Sequence, residues 1–317
     1  MRARRLRERG VLGMNRRNLR FIMAVNPRRL YPQVDDKLAA KAACARAGVS
    51  TPALVGVILD HRSVRRLPEI VAGHESFVVK PTRGSQGNGV LVVRGRDGDD
   101  FVLSNGRRIE AADVAFHLSE ILSGLFSLAG QRDTAMIEEC LSVHSELDHV
   151  TRGGVPDVRI VVYRGIPAMA MIRLPTQLSA GRANLHQGAV GAGIDLGTGL
   201  TTRAVLHDRI IERHPDTNEP LVGVAIPEFQ ELLRVSVRAA NVVELGYLGV
   251  DLVVDETRGP VVLELNARPG LAVQLANGRG LLRSLNEIER RHREVEDVED
   301  RIALSLEIAR AAGGVVG

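Results

Sequence analysis

The sequence predicts a mixed protein of strands and helices in one or two globular domains, and three observations carry that prediction. Short β-type runs alternate with helical stretches along most of the 317 residues. One pair of β-type runs, Phe77 to Val93, encloses a lysine and a glycine-rich loop. A second pair, Leu248 to Asn266, carries carboxylates and an amide inside apolar runs. With 44% hydrophobic residues the chain can bury a substantial core.

Residues 1–34 form a basic lead-in. Arg2, Arg4, Arg5, Arg7 and Arg9, followed by Arg16, Arg17 and Arg20, read most simply as a solvated basic helix or arm, with a surface-docking role as the alternative. Pro27 and Pro32 make its end extended or turned. A helix then starts: Asp35 and Asp36 suit a first turn, Lys37 to Ala47 is rich in Ala and Leu, and Gly48 is placed to end it. Strands are expected over 55–59, 77–80, 90–93 and 135–138, with a helix near 111–122. Further strands are expected over 157–163 and 168–174, then a glycine-rich loop over 181–199. A helix over 227–245 leads into strands at 248–254 and 260–266, joined by a turn over 256–259. The charge-dense pattern from Leu281 to Ala312 reads as a helical tail, packed on one face and solvated on the other.

Composition excludes several functions. No apolar run reaches the roughly 18 residues needed to cross a bilayer, and the Arg-rich start lacks the apolar stretch of a signal peptide. A cytoplasmic protein is expected. Cys44 and Cys140 are the only cysteines and read as small packing residues, since their spacing fits neither a zinc site nor a disulfide framework. The net charge is +4, but aromatics make up 3% with no Trp, so stacking platforms for nucleic acid are scarce.

The chemistry sits in the two hairpins. Gly84, Gly87 and Gly89 permit backbone angles that turn successive amide N–H groups toward an anion, and Lys80 supplies a mobile positive charge. The lysine precedes the glycines and a strand follows them, the reverse of a P-loop, so the loop is expected to lie over phosphates as a flap. In Val261 to Asn266, alternation puts Glu264 and Asn266 on one face, and Asp251 on the partner strand can meet them. Hard oxygen donors in this arrangement suit magnesium, or manganese in its place. Taken alone, Asp251 and Glu264 would equally serve as strand-end carboxylates in solvent or in salt bridges.

These pieces resemble the ATP-grasp superfamily, and within it the RimK-like α-L-glutamate ligases, over roughly Val34 to Leu282. The resemblance rests on Asp35 to Lys41, Ala47 to Pro52, Phe77 to Pro81 with its loop, Met136 to Cys140, Asp157 to Val162, Arg182 to Gly188, and Gly249 to Asp251 with Leu263 to Gly270, all in family order. It implies two α+β lobes closing on ATP: 35–137 with the flap and 138–282 with the metal site, flanked by the extension 1–34 and a helical tail 283–317. Lys37 and Lys80 would be the nucleotide-binding lysines, with Gly84, Ser85, Gln86, Gly87 and Gly89 over the phosphates. Glu138, Glu139, Cys140 and Leu141 would form the hinge that meets adenine through its backbone. Arg159, Arg173, Arg182 and Asn184 would surround the transferred phosphate and the substrate carboxylate. Asp251, Glu264 and Asn266 would hold the metal.

The implied activity is ATP-dependent amide formation through an acylphosphate, adding glutamate or a similar amino acid to a peptide, protein or small acceptor. Three arginines exceed what ATP and magnesium require, which favours an anionic amino-acid or peptide substrate. An ATP-grasp phosphotransferase and a non-catalytic ATP-binding scaffold are the alternatives. The sequence departs from the family in two places. Only a short basic segment precedes Lys37, where a full α/β domain is usual, so a second copy or a partner subunit is expected to supply the missing wall. The metal strand ends Asn266-Ala-Arg-Pro-Gly270, which adds Arg268 nearby.

Overall fold

In a computed structural model, which describes residues 6, 8–84, 87–127 and 130–313, the strands assemble into two antiparallel sheets. The first runs in the order β1-β6-β2-β3-β4-β5. It is built from β1 (Leu54–Ile58), β2 (Phe77–Pro81), β3 (Leu91–Asp97), β4 (Asp100–Leu103), β5 (Arg108–Ile109) and β6 (Ala135–Glu139). The second runs β11-β10-β9-β8-β7-β12-β13. Its strands are β7 (Asp157–Tyr163), β8 (Ile166–Leu174), β9 (Val190–Ile194), β10 (Thr201–Leu206), β11 (Arg209–Ile211), β12 (Tyr247–Asp255) and β13 (Gly259–Asn266). The main helices are α1 (Lys37–Arg46), α2 (Ala111–Leu122), α3 (Phe229–Val243), α4 (Ala272–Asn277), α5 (Leu282–Arg291) and α6 (Val298–Gly313). Mixed helices and antiparallel sheets make this the expected α+β fold.

Each sheet has its own apolar core. In the first, Phe77, Val79 and Ile137 pack under Val114, Leu118 and Ile121 of α2. The second sheet is covered on both faces. Ile160, Ile172, Val250 and Leu252 meet Leu232, Val237 and Val243 of α3, while Val161, Tyr163, Met169 and Met171 meet Val273, Leu285 and Ile288. Because neighbouring side chains of a strand point to opposite faces, β7 and β12 read as near-continuous apolar runs.

Four features differ from the expectations. The stretch 181–199 contains β9. Gly191 and Gly193 serve close packing there, because a Cβ at Gly193 would stand 2.7 Å from the Ala276 carbonyl oxygen of α4. The amino-terminal segment is no solvated arm: Leu12, Phe21, Ile22 and Val25 enter the core of the second sheet, and Arg17 is buried. The expected division between 137 and 138 cuts β6, and Leu30, Val34, Cys44 and Val49 pack on the second sheet rather than the first. The tail is two helices separated by a break, and Leu285, Ile288, Leu304 and Ile308 bury into the body. No helix among the described residues is long and apolar enough to cross a membrane.

Candidate nucleotide cleft

A cleft of about 540 Å³ lies between the sheets, a volume in the range of small-molecule sites. Val78, Lys80, Leu91 and Leu103 line it from the first sheet, and Val155, Asp157, Leu263 and Glu264 from the second. Apolar side chains from both sides could therefore flank a planar ring, while charged groups gather further along. Two loops meet on its edge: a Cβ on Gly154 would collide with the carbonyl of Gly181, whose φ of +76° also suits glycine.

The start of α1 aims one cation into this space. The Asp36 carboxylate accepts from the N–H groups of Leu38 (2.9 Å) and Ala39 (3.1 Å), a side-chain N-cap. The Lys37 N–H donates to the Thr82 carbonyl, which ties the helix start to the end of β2. Lys37 Nζ then donates to the Gly84 carbonyl at 2.5 Å and stands 3.2 Å from Glu264 Oε1. One lysine thus spans the glycine loop of the first sheet and the acidic strand of the second.

Glu138 is 2% exposed, and its carboxylate is shared by Lys80 and by Lys41, the latter at 2.7 Å. Burial pulls the Lys41 ammonium below its usual range, against the attraction of Glu138. The sequence reading missed Lys41. Its position four residues after Lys37, on the same helix face, was the available signal. Within the expected hinge, Glu138 pairs with Leu54 on one side and Val78 on the other, and the Glu139 N–H donates to Ala53. The Glu138 backbone therefore belongs to the sheet, and what it turns toward the cleft is its side chain. Cys140 and Leu141 stand beyond the ladder. Leu141 lines the cleft, whereas the Cys140 thiol donates to the Val93 carbonyl.

The second sheet holds a buried charge network. Arg159 binds both oxygens of Asp251, at 2.7 and 2.5 Å. Arg173 binds both oxygens of Asp157, at 2.5 and 2.6 Å, and reaches Asp251 at 2.9 Å. Asn266 Nδ2 donates to the same Asp251 oxygen at 3.2 Å. Burial opposes the Asp251 charge, yet Arg159 and Arg173 outweigh it and hold the carboxyl down at about 2. Burial pushes Asp157 up, against Arg173 and with the added repulsion of Asp251.

The expected anion pocket is corrected accordingly. The forks of Arg159 and Arg173 are occupied by two internal aspartates, so the four charges cancel. Arg182 lines the cleft, is exposed, and makes no ion pair among the described residues. Arg94 and Arg107, which the sequence did not single out, line the same space from the first sheet. Asn184 caps the short turn Leu185–Gln187, its Oδ1 accepting from the His186 N–H. In the loop, Gly84 and Gly87 line the cleft and Gly89 packs against Phe126; Ser85 and Gln86 lie outside the described residues.

Among the described residues no group of three or more His, Cys, Asp or Glu side chains could hold a metal ion. Glu264 faces the cleft with a side chain 31% exposed, and Asp251 and Asn266 share its face of the hairpin. Hard oxygens are therefore present, with Glu264 ion-paired to Lys37 and Asp251 committed to its two arginines and to the Asn266 amide.

A protein family described as sugar-transfer associated ATP-grasp matches residues 16–290. Among solved structures, the chain is similar to the ATP-grasp ligase PsnB complexed with minimal precursor, at 18% identity and a TM-score of 0.43, over 90% of this chain and 64% of that one. It is similar to D-cycloserine synthetase DcsG at 16% identity and a TM-score of 0.47, over 84% and 73%. A third is phosphoribosylamine–glycine ligase from Thermotoga maritima, at 16% identity and a TM-score of 0.49, over 84% and 56%. The chain thus spans less than two thirds of PsnB and of the Thermotoga maritima ligase. No curated protein matches it in sequence.

Proposed function

Because the chain belongs to the sugar-transfer associated ATP-grasp family, we propose that it is an ATP-dependent carboxylate–amine ligase working in the cleft between the two sheets. The observation that carries this reading is the 3.2 Å approach of Lys37 to Glu264, which joins a lysine-bearing glycine hairpin to an acidic strand across a nucleotide-sized space. Lys37 and Lys80, with Lys41 behind them, would neutralise the phosphates, and the backbone beyond Glu139 would receive the base. Glu264 and Asn266, backed by Asp251, would hold magnesium, whose role when bound is to offset phosphate charge.

A carboxylate is a poor electrophile. Transfer of the γ-phosphoryl group to it releases ADP and forms an acylphosphate; an amine then attacks the acyl carbon, and phosphate leaves as the amide forms. Positive charge must stand where negative charge builds on the transferred group. Arg182, exposed in the cleft, would do that work, and Arg94 and Arg107 would meet an anionic substrate. Arg159 and Arg173 would act through Asp251 by fixing its position.

Addition of glutamate or a similar amino acid to a peptide, protein or small acceptor, as in RimK-like ligases, is the finer form of this proposal. The test is a screen of carboxylic acids paired with amino acids, peptides and amino sugars for stimulated ADP release, with the product weighed by mass spectrometry. Release that needs both an acid and an amine, with an amide product, is expected. A phosphorylated product without an amide would establish phosphotransfer instead, and tight ATP binding without turnover in any pairing would leave a scaffold.

A further inference from the structure

The amino-terminal segment has an outer face that the cleft does not use. Residues 1–34 hold ten of the chain's 42 basic residues and one of its 38 acidic ones, Glu8. The inner side of the segment is fastened to the body. Arg17, 8% exposed, donates to the Pro269 carbonyl at 2.7 Å, and Asn26 exchanges hydrogen bonds with the Tyr247 backbone at 2.8 Å each way. Leu12 bonds Gln274 through both its backbone groups. The outer side is therefore presented in a fixed orientation.

That outer side combines two stripes. Leu19 and Met23, 69% and 59% exposed, are four residues apart and so share one line along the helical turns, in which Met23 N–H bonds the Asn18 carbonyl five residues back. Arg16 and Arg20, also four apart and exposed, form the neighbouring line, and Met14 is 64% exposed at the start. Neither Arg16 nor Arg20 makes an ion pair among the described residues, and no acid occurs between Arg9 and Val34. Singly exposed apolar residues are ordinary. An apolar line beside a cationic one, held rigidly and without any acid, is the pattern of a segment lying in a lipid interface.

We propose that this face docks the protein on an anionic lipid bilayer, with Leu19 and Met23 entering the headgroup boundary and Arg16 and Arg20 meeting lipid phosphates. Charge complementarity selects this occupant. A lipid surface offers both the apolar boundary and the phosphates that this face would meet, whereas one sign of charge without alternation sets no register with a protein partner. Nucleic acid would use the arginines and leave the apolar line in water.

The test is flotation of the full chain with vesicles of phosphatidylcholine alone or with about a third phosphatidylglycerol. Binding is expected only to the anionic vesicles. It should fall about tenfold or more in the double variant Leu19→Asn/Met23→Asn and also in Arg16→Gln/Arg20→Gln. Melting temperatures should stay unchanged, because all four side chains are exposed. Removal of residues 1–7 should leave most of the binding. The proposal is overturned if anionic vesicles fail to float the protein, if the apolar double variant binds as well as the parent, or if polyglutamate or RNA is bound while vesicles are not. The result does not depend on whether the cleft turns over ATP.

Discussion

Asp251 and Glu264 pair directly across two strands, yet their surroundings give them different work. Asp251 compensates two buried guanidiniums, so Asp251→Asn should cost about 3–5 kcal/mol in urea unfolding. Glu264 faces the cleft, so Glu264→Gln should change stability by less than about 1 kcal/mol while abolishing ADP release. Equal destabilisation by both would show that Glu264 is structural. Lys80→Ala leaves Glu138 paired with Lys41, so the fold should persist and ATP affinity should drop by more than about tenfold in calorimetry. At this scale Lys80 and Glu264 were legible from residue type and strand alternation, and Lys37 only through the family resemblance. The engagement of Arg159 and Arg173 was not, because alternation reports the face of a side chain and says nothing of its partner across the sheet.

Among the elements, the loop carrying Arg182 is pinned by a buried histidine. His214 Nε2 lies 3.1 Å from the Pro175 carbonyl, while Nδ1 accepts from the N–H groups of Asp216 and Thr217 at 3.3 and 3.4 Å. That pattern requires the neutral ring. Burial accordingly holds its pKa below 6.5, against the pull of Pro175 and Asp216. A depressed folded pKa contributes stability that is complete above the unfolded value and is lost as pH falls through the folded one. Stability should therefore decline below about pH 6.5, and urea titrations of His214→Asn should show a flatter profile across that range. Gly193→Ala should cost about 1–3 kcal/mol, since α4 backbone occupies the space of a Cβ. The helices at 37–46 and 111–122 were visible from capping and periodicity. Strand β9 was hidden because its glycines, suited to a neighbouring helix, look like loop residues in one dimension.

For the whole molecule, two separate cores meet at one cleft. A ligand bridging them stabilises by mass action: at about 100 times its dissociation constant, ATP with magnesium should add about 2.7 kcal/mol, or about 5 °C in melting temperature. Calorimetric scans should show the rise in the parent and lose its magnesium-dependent part in Glu264→Gln. No shift at saturating nucleotide would remove the bridge.

The α+β class, the order of the hairpins, and the residue types that those hairpins carry were determined by the sequence alone. Propensity, capping and alternation act among near neighbours, and the chain displays them directly. Packing decided the rest: that Lys41 joins Lys80 on Glu138, that two arginines are neutralised, and that the basic lead-in becomes part of the second core. Arg17 and Pro269 lie 252 residues apart. Which such groups meet depends on how the sheets stack and which faces they bury, a property of the folded whole that local pattern does not encode.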